Sequence, residues 1–132
     1  TLISNSVNSF NSSSTYFHSS QNEYLFAYAS TDHKIEIFDL QLDQIILSKK
    51  AHTKNIHCIK HYFDSLENKD LLISSSRDKT VKLWDYSSSL SLLFDIEPFP
   101  ECSDILSVCF VEDRLNINSI CSFSILLSAQ GG

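Results

Sequence analysis

Glycine and proline are scarce in this chain, which has only two of each among its 132 residues. Tight turns usually draw on these two residues, so Asn, Ser and Asp must form most of the turns instead. The chain also lacks the roughly 20 consecutive apolar residues of a membrane helix, and its Ser/Asn-rich start is unlike a secretion signal. We therefore expect a soluble, intracellular protein with no membrane partner.

Basic residues and paired cysteines are few as well. Ten basic residues against 16 acidic ones leave a formal charge of −6, which argues against a basic face that wraps nucleic acid. Any contact with RNA would be indirect or would need a local patch. The four cysteines are irregularly spaced and form no Cys-x-x-Cys pair, so neither a disulfide framework nor a zinc site is indicated. We expect no metal, no cofactor and no small-molecule substrate.

An internal repeat is the sequence feature that says most about the fold. The segment STDHKIEIFDL, residues 30–40, aligns with SRDKTVKLWDY, residues 76–86, and Asp32 then meets Asp78, 46 residues later. A repeat of about this length is typical of an array or a propeller. A hydrophobic share of 42% is enough to fill the core of a chain of this size.

Apolar residues alternate within both copies of the repeat. Ile35 and Ile37 share one side of the first copy, and Val81 and Leu83 share one side of the second. Period two indicates strands, and no segment shows a helical period. Further strands are expected around residues 7–10, 40–48, 56–63 and 71–73, with a long polar loop before residue 23. The chain is therefore predicted to be all-β.

The second copy resembles the repeat of the WD40 family. Ala51-His52 stands where that repeat has Gly-His, Asp78 lies in its turn, and Trp84-Asp85 closes its strand. The resemblance implies a WD40 β-propeller fragment of about two and a half four-stranded antiparallel blades. The ring is not expected to close within this chain, and we expect the chain to be an excerpt of a longer protein.

The resemblance divides residues 1–132 into parts of a partial propeller. These are a degenerate first strand and loop (1–23), the rest of the first blade (24–50), a complete repeat (51–95), and a truncated third repeat (96–132) with an insertion at 111–124. In the first blade Tyr28 replaces the strand serine and Phe38 replaces the tryptophan, so only Asp32 of the polar set remains. We expect that blade to depend on apolar packing.

The family resemblance implies a buried hydrogen-bond chain formed by His52, Ser74, Asp78 and Trp84. In this chain Asp78 accepts from the imidazole of His52, whose other nitrogen meets the Ser74 hydroxyl, and Ser74 accepts the indole N–H of Trp84. A Ser-His-Asp set is also the composition of a catalytic triad. Ser74, however, lies in mid-strand with no glycine near it for a nucleophile elbow. We predict a structural tetrad, no catalytic residue and no enzyme.

The order of features is similar to that of the N-terminal propeller of a U3 small-nucleolar-RNA-associated protein. The residues concerned are Ala51-His52, the turn at 76–79, Pro98-Phe99-Pro100-Glu101 and Leu126-Leu127-Ser128-Ala129. This resemblance implies a non-catalytic scaffold of the nucleolar small-subunit processome, acting in pre-rRNA processing and ribosome biogenesis. Its partners would be other WD40 subunits of a large ribonucleoprotein, and its location the nucleus or nucleolus.

A substrate-recruiting adaptor, for example of a ubiquitin ligase, is the alternative. Family resemblance then makes Thr31, Asn55, His57 and Arg77 the partner-facing residues, with Arg77 pairing an acidic or phosphorylated ligand. His57 and His61 flank Cys58 and are expected to share one strand face. That set has no fourth ligand and no metal-site spacing, so we predict ordinary strand residues.

Overall fold

The computed structural model describes residues 13–101, 104–112 and 123–130. The described residues form ten strands and a 3-10 turn, Tyr86–Ser88, which confirms the all-β prediction. The strands are β1 (Ser14–His18), β2 (Tyr24–Ala29), β3 (Lys34–Asp39), β4 (Gln44–Lys50), β5 (Ile56–Asp64), β6 (Lys69–Ser76), β7 (Val81–Asp85), β8 (Ser91–Ile96), β9 (Asp104–Glu112) and β10 (Phe123–Gln130). No helix among the described residues has the length and apolar character that crossing a membrane requires.

The strands form three antiparallel sheets in chain order. The first sheet has the order β1-β2-β3-β4, the second β5-β6-β7-β8, and β9 pairs with β10 in the third. Within the first and second sheets, neighbouring strands are joined by turns or links of four or five residues, because consecutive strands of alternating apolar pattern pair as hairpins. The described strands do not close into a ring.

Two apolar clusters separate the three sheets. The first cluster lies between the first and second sheets and includes Ile35, Ile37 and Trp84. The second cluster lies between the second and third sheets and includes Val81, Leu83 and Val108. The period-two alternation of β7 explains this division, since Val81 and Leu83 point to one cluster while Trp84 points to the other. The second sheet is therefore covered on both faces.

The left-handed turn residues repeat with the same 46-residue offset as the sequence. Asn22 and Asn68, His33 and Lys79, and Asp43 and Ser89 all have φ between 54° and 73°. None of the positive-φ residues among those described is glycine. Asn, Asp and Ser thus fill four of these six positions as predicted, and His33 and Lys79 fill the other two, of which lysine is the less suited to positive φ.

Ser89 offers a direct test of this conformational cost. Its φ of 59° and ψ of 43° place it in the left-handed region, and its side chain is exposed. Because glycine adopts this region freely, we expect Ser89→Gly to raise the free energy of unfolding by about 1 kcal/mol. The measurement is urea denaturation of the full-length protein. The control is Ser91→Gly in the extended strand β8, where glycine should be destabilising, and equal effects at the two serines would contradict the explanation.

Four strands, β1, β4, β9 and β10, have boundaries that differ from those that the sequence predicts. The strand β1 lies at Ser14–His18, within the predicted polar loop, because Phe17 is buried and anchors it against the second sheet. The residues 7–10, where a strand is predicted, lie outside the described part of the chain. The strand β4 begins at Gln44, since residues 40–43 form a turn capped by the Asp39 carboxylate. The strands β9 and β10 extend into the predicted insertion, as far as residues 112 and 123.

Candidate functional site

Strand alternation places two members of the predicted tetrad on one face of the second sheet. Ser74 on β6 and Trp84 on β7 both point toward the first sheet, with Leu72 between them in register with Trp84. His52 enters from the link between β4 and β5. The carbonyl of His33 holds this link by accepting the backbone N–H groups of Ala51 and His52, both at 3.1 Å.

The structure brings the four residues into one hydrogen-bonded chain. The Nδ1 atom of His52 lies 2.9 Å from Asp78 Oδ2, and its Nε2 atom lies 2.8 Å from Ser74 Oγ. The indole Nε1–H of Trp84 donates to Ser74 Oγ over 3.0 Å. A carboxylate can only accept, so His52 Nδ1 carries the proton and Nε2 accepts from the Ser74 hydroxyl. Each polar atom of this chain is thereby satisfied in a buried setting.

Asp78 receives more hydrogen bonds than the tetrad alone supplies. The backbone N–H of Thr53 donates to its Oδ2 atom over 3.1 Å, and the backbone N–H of Thr80 donates to Oδ1 over 2.9 Å. Burial by itself would raise the pKa of Asp78, but the hydrogen bonds from His52 and Thr80 outweigh burial and lower its pKa well below 3.8. Asp78 is therefore held as a carboxylate that anchors the turn to the β4–β5 link.

Two supporting residues are absent from the sequence prediction. The Thr80 hydroxyl lies 3.0 Å from His52 Nδ1 and also donates to Asp78 Oδ1. The Ser76 hydroxyl donates to the carbonyl of Asn55 over 2.8 Å and accepts the N–H of Asp78 over 3.0 Å. Ser76 and Thr80 lie two residues before and two residues after Asp78. A hydroxyl residue at these two positions around a turn aspartate is the sequence pattern that would have predicted both supporting roles.

The corresponding aspartate of the first sheet has a different environment. The side chain of Asp32 is 69% exposed and lies 3.8 Å from Lys34 Nζ. Tyr28 and Phe38, which stand where the second copy has Ser74 and Trp84, are buried in the apolar part of the sheet. Asp32 is consequently a matched control for Asp78, since both occupy the same turn position in the two copies.

A second buried polar network, which sequence reasoning missed, joins the first two sheets. The Asp70 carboxylate on β6 is 1% exposed as a residue and accepts the backbone N–H and the hydroxyl of Ser20, both at 2.8 Å. The Nε2–H of His61 donates to its other oxygen over 2.9 Å. Phe17 of β1 stacks on the His61 ring with centroids 4.3 Å apart. Ser20 and Asp70 are 50 residues apart, so no local sequence motif indicates that they are in contact.

The expectation that His57 and His61 share a strand face assumes an uninterrupted alternation along β5, and the structure interrupts it. A bulge between Ile56 and Cys58 leaves His57 outside the regular pairing, so the period-two alternation does not run from His57 to His61. His61 instead faces the first sheet, where it contacts Phe17 and Asp70. Among the residues with a described position, no group of three or more His, Cys, Asp or Glu is arranged to hold a metal ion.

His61 makes the stability of this network depend on pH. Burial lowers the pKa of His61 below 6.5, against the opposing influence of the Asp70 hydrogen bond and charge. The unfolded chain then binds a proton that the folded chain resists, so stability is lost as the pH falls below about 6.5.

Replacing His61 tests this dependence, because Gln keeps an N–H for Asp70 but does not titrate. We expect His61→Gln to flatten the fall in urea midpoint between about pH 7 and about pH 5. The control is His18→Gln. His18 is exposed, and its ring nitrogen Nε2 is hydrogen-bonded to the side chain of the neighbouring Asn22. An unchanged slope in His61→Gln would refute the assignment.

Three of the four predicted partner-facing residues lie at one end of the sheets. We call this end the upper rim, formed by residues 30–33, 51–55 and 77–80. Thr31, Asn55 and Arg77 are exposed there, whereas His57 is partly buried at the bulge of β5. The backbone N–H of Arg77 donates to the carbonyl of Asn55 over 2.9 Å, which fixes the two residues side by side.

The upper rim contains a depression of about 310 Å³. It is lined by His33, Lys54, Asn55 and Arg77. His33 and Lys54 are not among the residues that the sequence predicts. The Nδ1 atom of His33 is buried and has no hydrogen-bond partner among the residues that the structure describes. The depression therefore presents two cationic side chains, an amide and an imidazole.

Comparison with known proteins gives one family match and several relatives. Residues 44–85 match the family model described as WD domain, G-beta repeat. Protein SPA1-RELATED 3 of Arabidopsis thaliana is 41% identical over 66 residues, 49% of this chain and 7% of that protein. The CCR4-associated factor 4 homolog of Vanderwaltozyma polyspora is 28% identical over 113 residues, 80% of this chain and 16% of that protein. Coatomer subunit beta'-1 of Arabidopsis thaliana is 35% identical over 63 residues, 48% of this chain and 7% of that protein.

The chain thus spans only 7% to 16% of the length of these relatives. None of them is transducin beta-like protein three, the U3-associated protein whose N-terminal propeller has a similar order of features, and they do not support that finer assignment. WD40 repeats are protein–protein interaction scaffolds, and they imply protein partners. Residues 44–85 match the WD40 repeat, and the described sheets, two of four antiparallel strands and one of two, are consistent with a fragment of a WD40 propeller.

Proposed function

We propose that this chain is a non-catalytic scaffold whose upper rim binds an acidic or phosphorylated segment of a partner protein. The depression lined by His33, Lys54, Asn55 and Arg77 is the observation that carries the proposal. Arginine pairs carboxylates and phosphates through two parallel hydrogen bonds, and a lysine beside it adds a second charge.

The cationic side chains of the depression contrast with the charge of the whole chain. The formal charge is −6, so an anion would be repelled by most of the surface and drawn to a local cationic patch. Like-charge repulsion elsewhere suppresses wrong binding modes, which gives specificity as well as attraction. A partner segment with its acidic group in the depression would place its neighbours over the exposed Thr31.

The tetrad supports the non-catalytic part of the proposal. Ser74, His52 and Asp78 have the hydrogen-bond order of a catalytic triad, with 2.8 Å and 2.9 Å between successive groups. Ser74, however, is 0% exposed and its oxygen already accepts the indole N–H of Trp84. A substrate has no route to that hydroxyl, so the geometry serves to hold the blade together.

Reversing the charge of Arg77 tests the proposed ligand class. We expect Arg77→Glu in the full-length protein to weaken binding of a fluorescein-labelled phosphoserine peptide by at least about tenfold. Fluorescence anisotropy measures the affinity. Lys60→Glu is the matched control, because Lys60 is exposed on β5 away from the upper rim, and we expect a change within about twofold. Equal effects of the two reversals, or no binding of the peptide by the unaltered protein, would refute the proposal.

Membership of the nucleolar small-subunit processome is a second proposal. It is supported by the order of features around Ala51-His52, 98–101 and 126–129. In that case the partners are other WD40 subunits of the ribonucleoprotein, and the location is nucleolar. Affinity purification of the full-length protein distinguishes membership of the processome from a role as a substrate-recruiting adaptor. Recovery of U3 RNA with processome subunits favours this one, and recovery of a ubiquitin ligase core favours a recruiting adaptor.

A further inference from the structure

The upper-rim depression is assembled from three separate segments of the chain. His33 belongs to the turn between β2 and β3, Lys54 and Asn55 to the link between β4 and β5, and Arg77 to the turn between β6 and β7. The first of these segments lies in the first sheet and the third in the second sheet. A ligand can therefore meet all four side chains only if contacts between the segments hold them at a fixed separation.

The Ser76 hydroxyl joins the β4–β5 link to the turn that carries Arg77. Its oxygen lies 2.8 Å from the carbonyl oxygen of Asn55 and 3.2 Å from that of Lys54, and it donates toward both. The same oxygen accepts the backbone N–H of Asp78 over 3.0 Å. The backbone N–H of Arg77 adds a further bond to the carbonyl of Asn55 over 2.9 Å. One hydroxyl thus ties the backbone of both link residues to the β6–β7 turn.

Burial prevents Ser76 from meeting a ligand itself. The residue is 0% exposed at the end of β6, and its hydroxyl is already in use as both donor and acceptor. A segment that becomes ordered only on binding costs affinity, whereas a segment that is held in place beforehand does not. The contribution that Ser76 can make to binding is therefore the placement of the backbone on two sides of the depression.

We propose that Ser76 is the positioning residue of the upper-rim site, and that its hydroxyl holds Lys54 and Asn55 beside Arg77 before the ligand arrives. This inference rests on the proposed function of the upper rim, and it adds the buried residue on which the affinity of that site depends. The neighbouring serine does not share the role. The hydroxyl oxygen of Ser75 is buried and has no hydrogen-bond partner among the residues that the structure describes.

Ser75 and Ser76 form a matched pair of variants for the test. Both are 0% exposed on β6, so replacement by alanine removes the same hydroxyl from equally buried sites. We expect Ser76→Ala in the full-length protein to weaken binding of the fluorescein-labelled phosphoserine peptide by about fivefold, because the ligand must then order the link. Ser75→Ala removes no hydrogen bond and should leave the affinity within about twofold of normal. Fluorescence anisotropy measures both affinities, and circular dichroism verifies that each variant is folded.

A double-mutant cycle separates positioning from a general effect on the fold. Arg77→Gln removes the cation beside which Ser76 holds the link. If Ser76 acts by placing these groups relative to one another, Ser76→Ala should weaken binding by less than about twofold in the Arg77→Gln background. A purely structural role would give the same factor of about five with and without Arg77, since the two changes would then be independent.

A further variant keeps the test decisive if Ser76→Ala impairs folding. Ser76→Cys fills a similar space, but a thiol is only a weak donor, so this variant should also weaken the peptide by about fivefold. A normal affinity in the folded Ser76 variants, or the same factor in both Arg77 backgrounds, would overturn this inference alone. Failure of the proposed function is distinguishable, because the unaltered protein would then not bind the phosphoserine peptide, and both proposals would be overturned.

Discussion

Replacing His52 with alanine is expected to lower the free energy of unfolding by about 3 kcal/mol. The imidazole is the centre of the tetrad, and its loss removes the acceptor of the Ser74 hydroxyl and one donor to the Asp78 carboxylate. Part of the cost is a cavity, since the His52 side chain is 0% exposed. Urea denaturation of the full-length protein, followed by circular dichroism, measures the change.

The two copies of the repeat supply an internal comparison for this result. Asp78→Ala should be destabilising by about 2 to 3 kcal/mol, because it removes the acceptor of His52, Thr53 and Thr80. Asp32→Ala changes the same turn position in the first blade, where the carboxylate is exposed, and should cost less than about 0.5 kcal/mol. Comparable losses at Asp32 and Asp78 would mean that the turn, and not the tetrad, determines the effect.

The second large loss of stability is expected at the contact between the first and second sheets. Asp70→Ala removes the acceptor of the Ser20 N–H, the Ser20 hydroxyl and the His61 ring. We expect a loss of about 3 kcal/mol, since three donors lose their partner in a largely buried interface.

Graded variants separate the hydrogen bonds of Asp70 from general disturbance of the fold. Ser20→Ala removes one of the three donors and should cost about 1 kcal/mol. Asp43→Ala, which removes an exposed carboxylate in the turn between β3 and β4, should be neutral within about 0.5 kcal/mol. The interpretation fails if Asp70→Ala costs no more than Ser20→Ala. The same denaturation experiment measures all three variants.

The tetrad could be anticipated from sequence because its members occupy set positions in one repeat. Each of the four residues lies on a strand, turn or link whose place follows from the alternation around Val81 and Leu83. Their mutual distances agree with the hydrogen-bond roles assigned from the residue types. The stabilising role of the tetrad remains a prediction that the His52 and Asp78 variants test.

The network around Asp70 could not be anticipated in the same way. Its residues occupy positions that do not recur between the two copies, since Tyr24 stands in the first copy where Asp70 stands in the second. The contact between Ser20 and Asp70 arises only when the two blades pack face to face. Buried polar contacts between repeats depend on packing geometry, which the pattern of a single repeat does not contain.

Bulges are the other feature that sequence patterns did not reveal. The bulge at His57 breaks the alternation of β5, and the bulge at Ile46 turns a side chain of β4 toward the second blade. Each inserts one residue without changing the composition of the strand. A period-two pattern therefore located both strands, but an uninterrupted alternation does not describe either strand across its bulge.

The length of the strands determines how two bound partners would influence each other. The strands β2 and β3 have six residues each, which separates the two ends of the sheet by about 20 Å. Charges this far apart are strongly screened, because the Debye length in physiological salt is about 8 Å. A charged ligand held at the upper rim would therefore not change the affinity of a second partner bound at the opposite end of the strands, so the sheets would act as a spacer between two partners without making their binding cooperative.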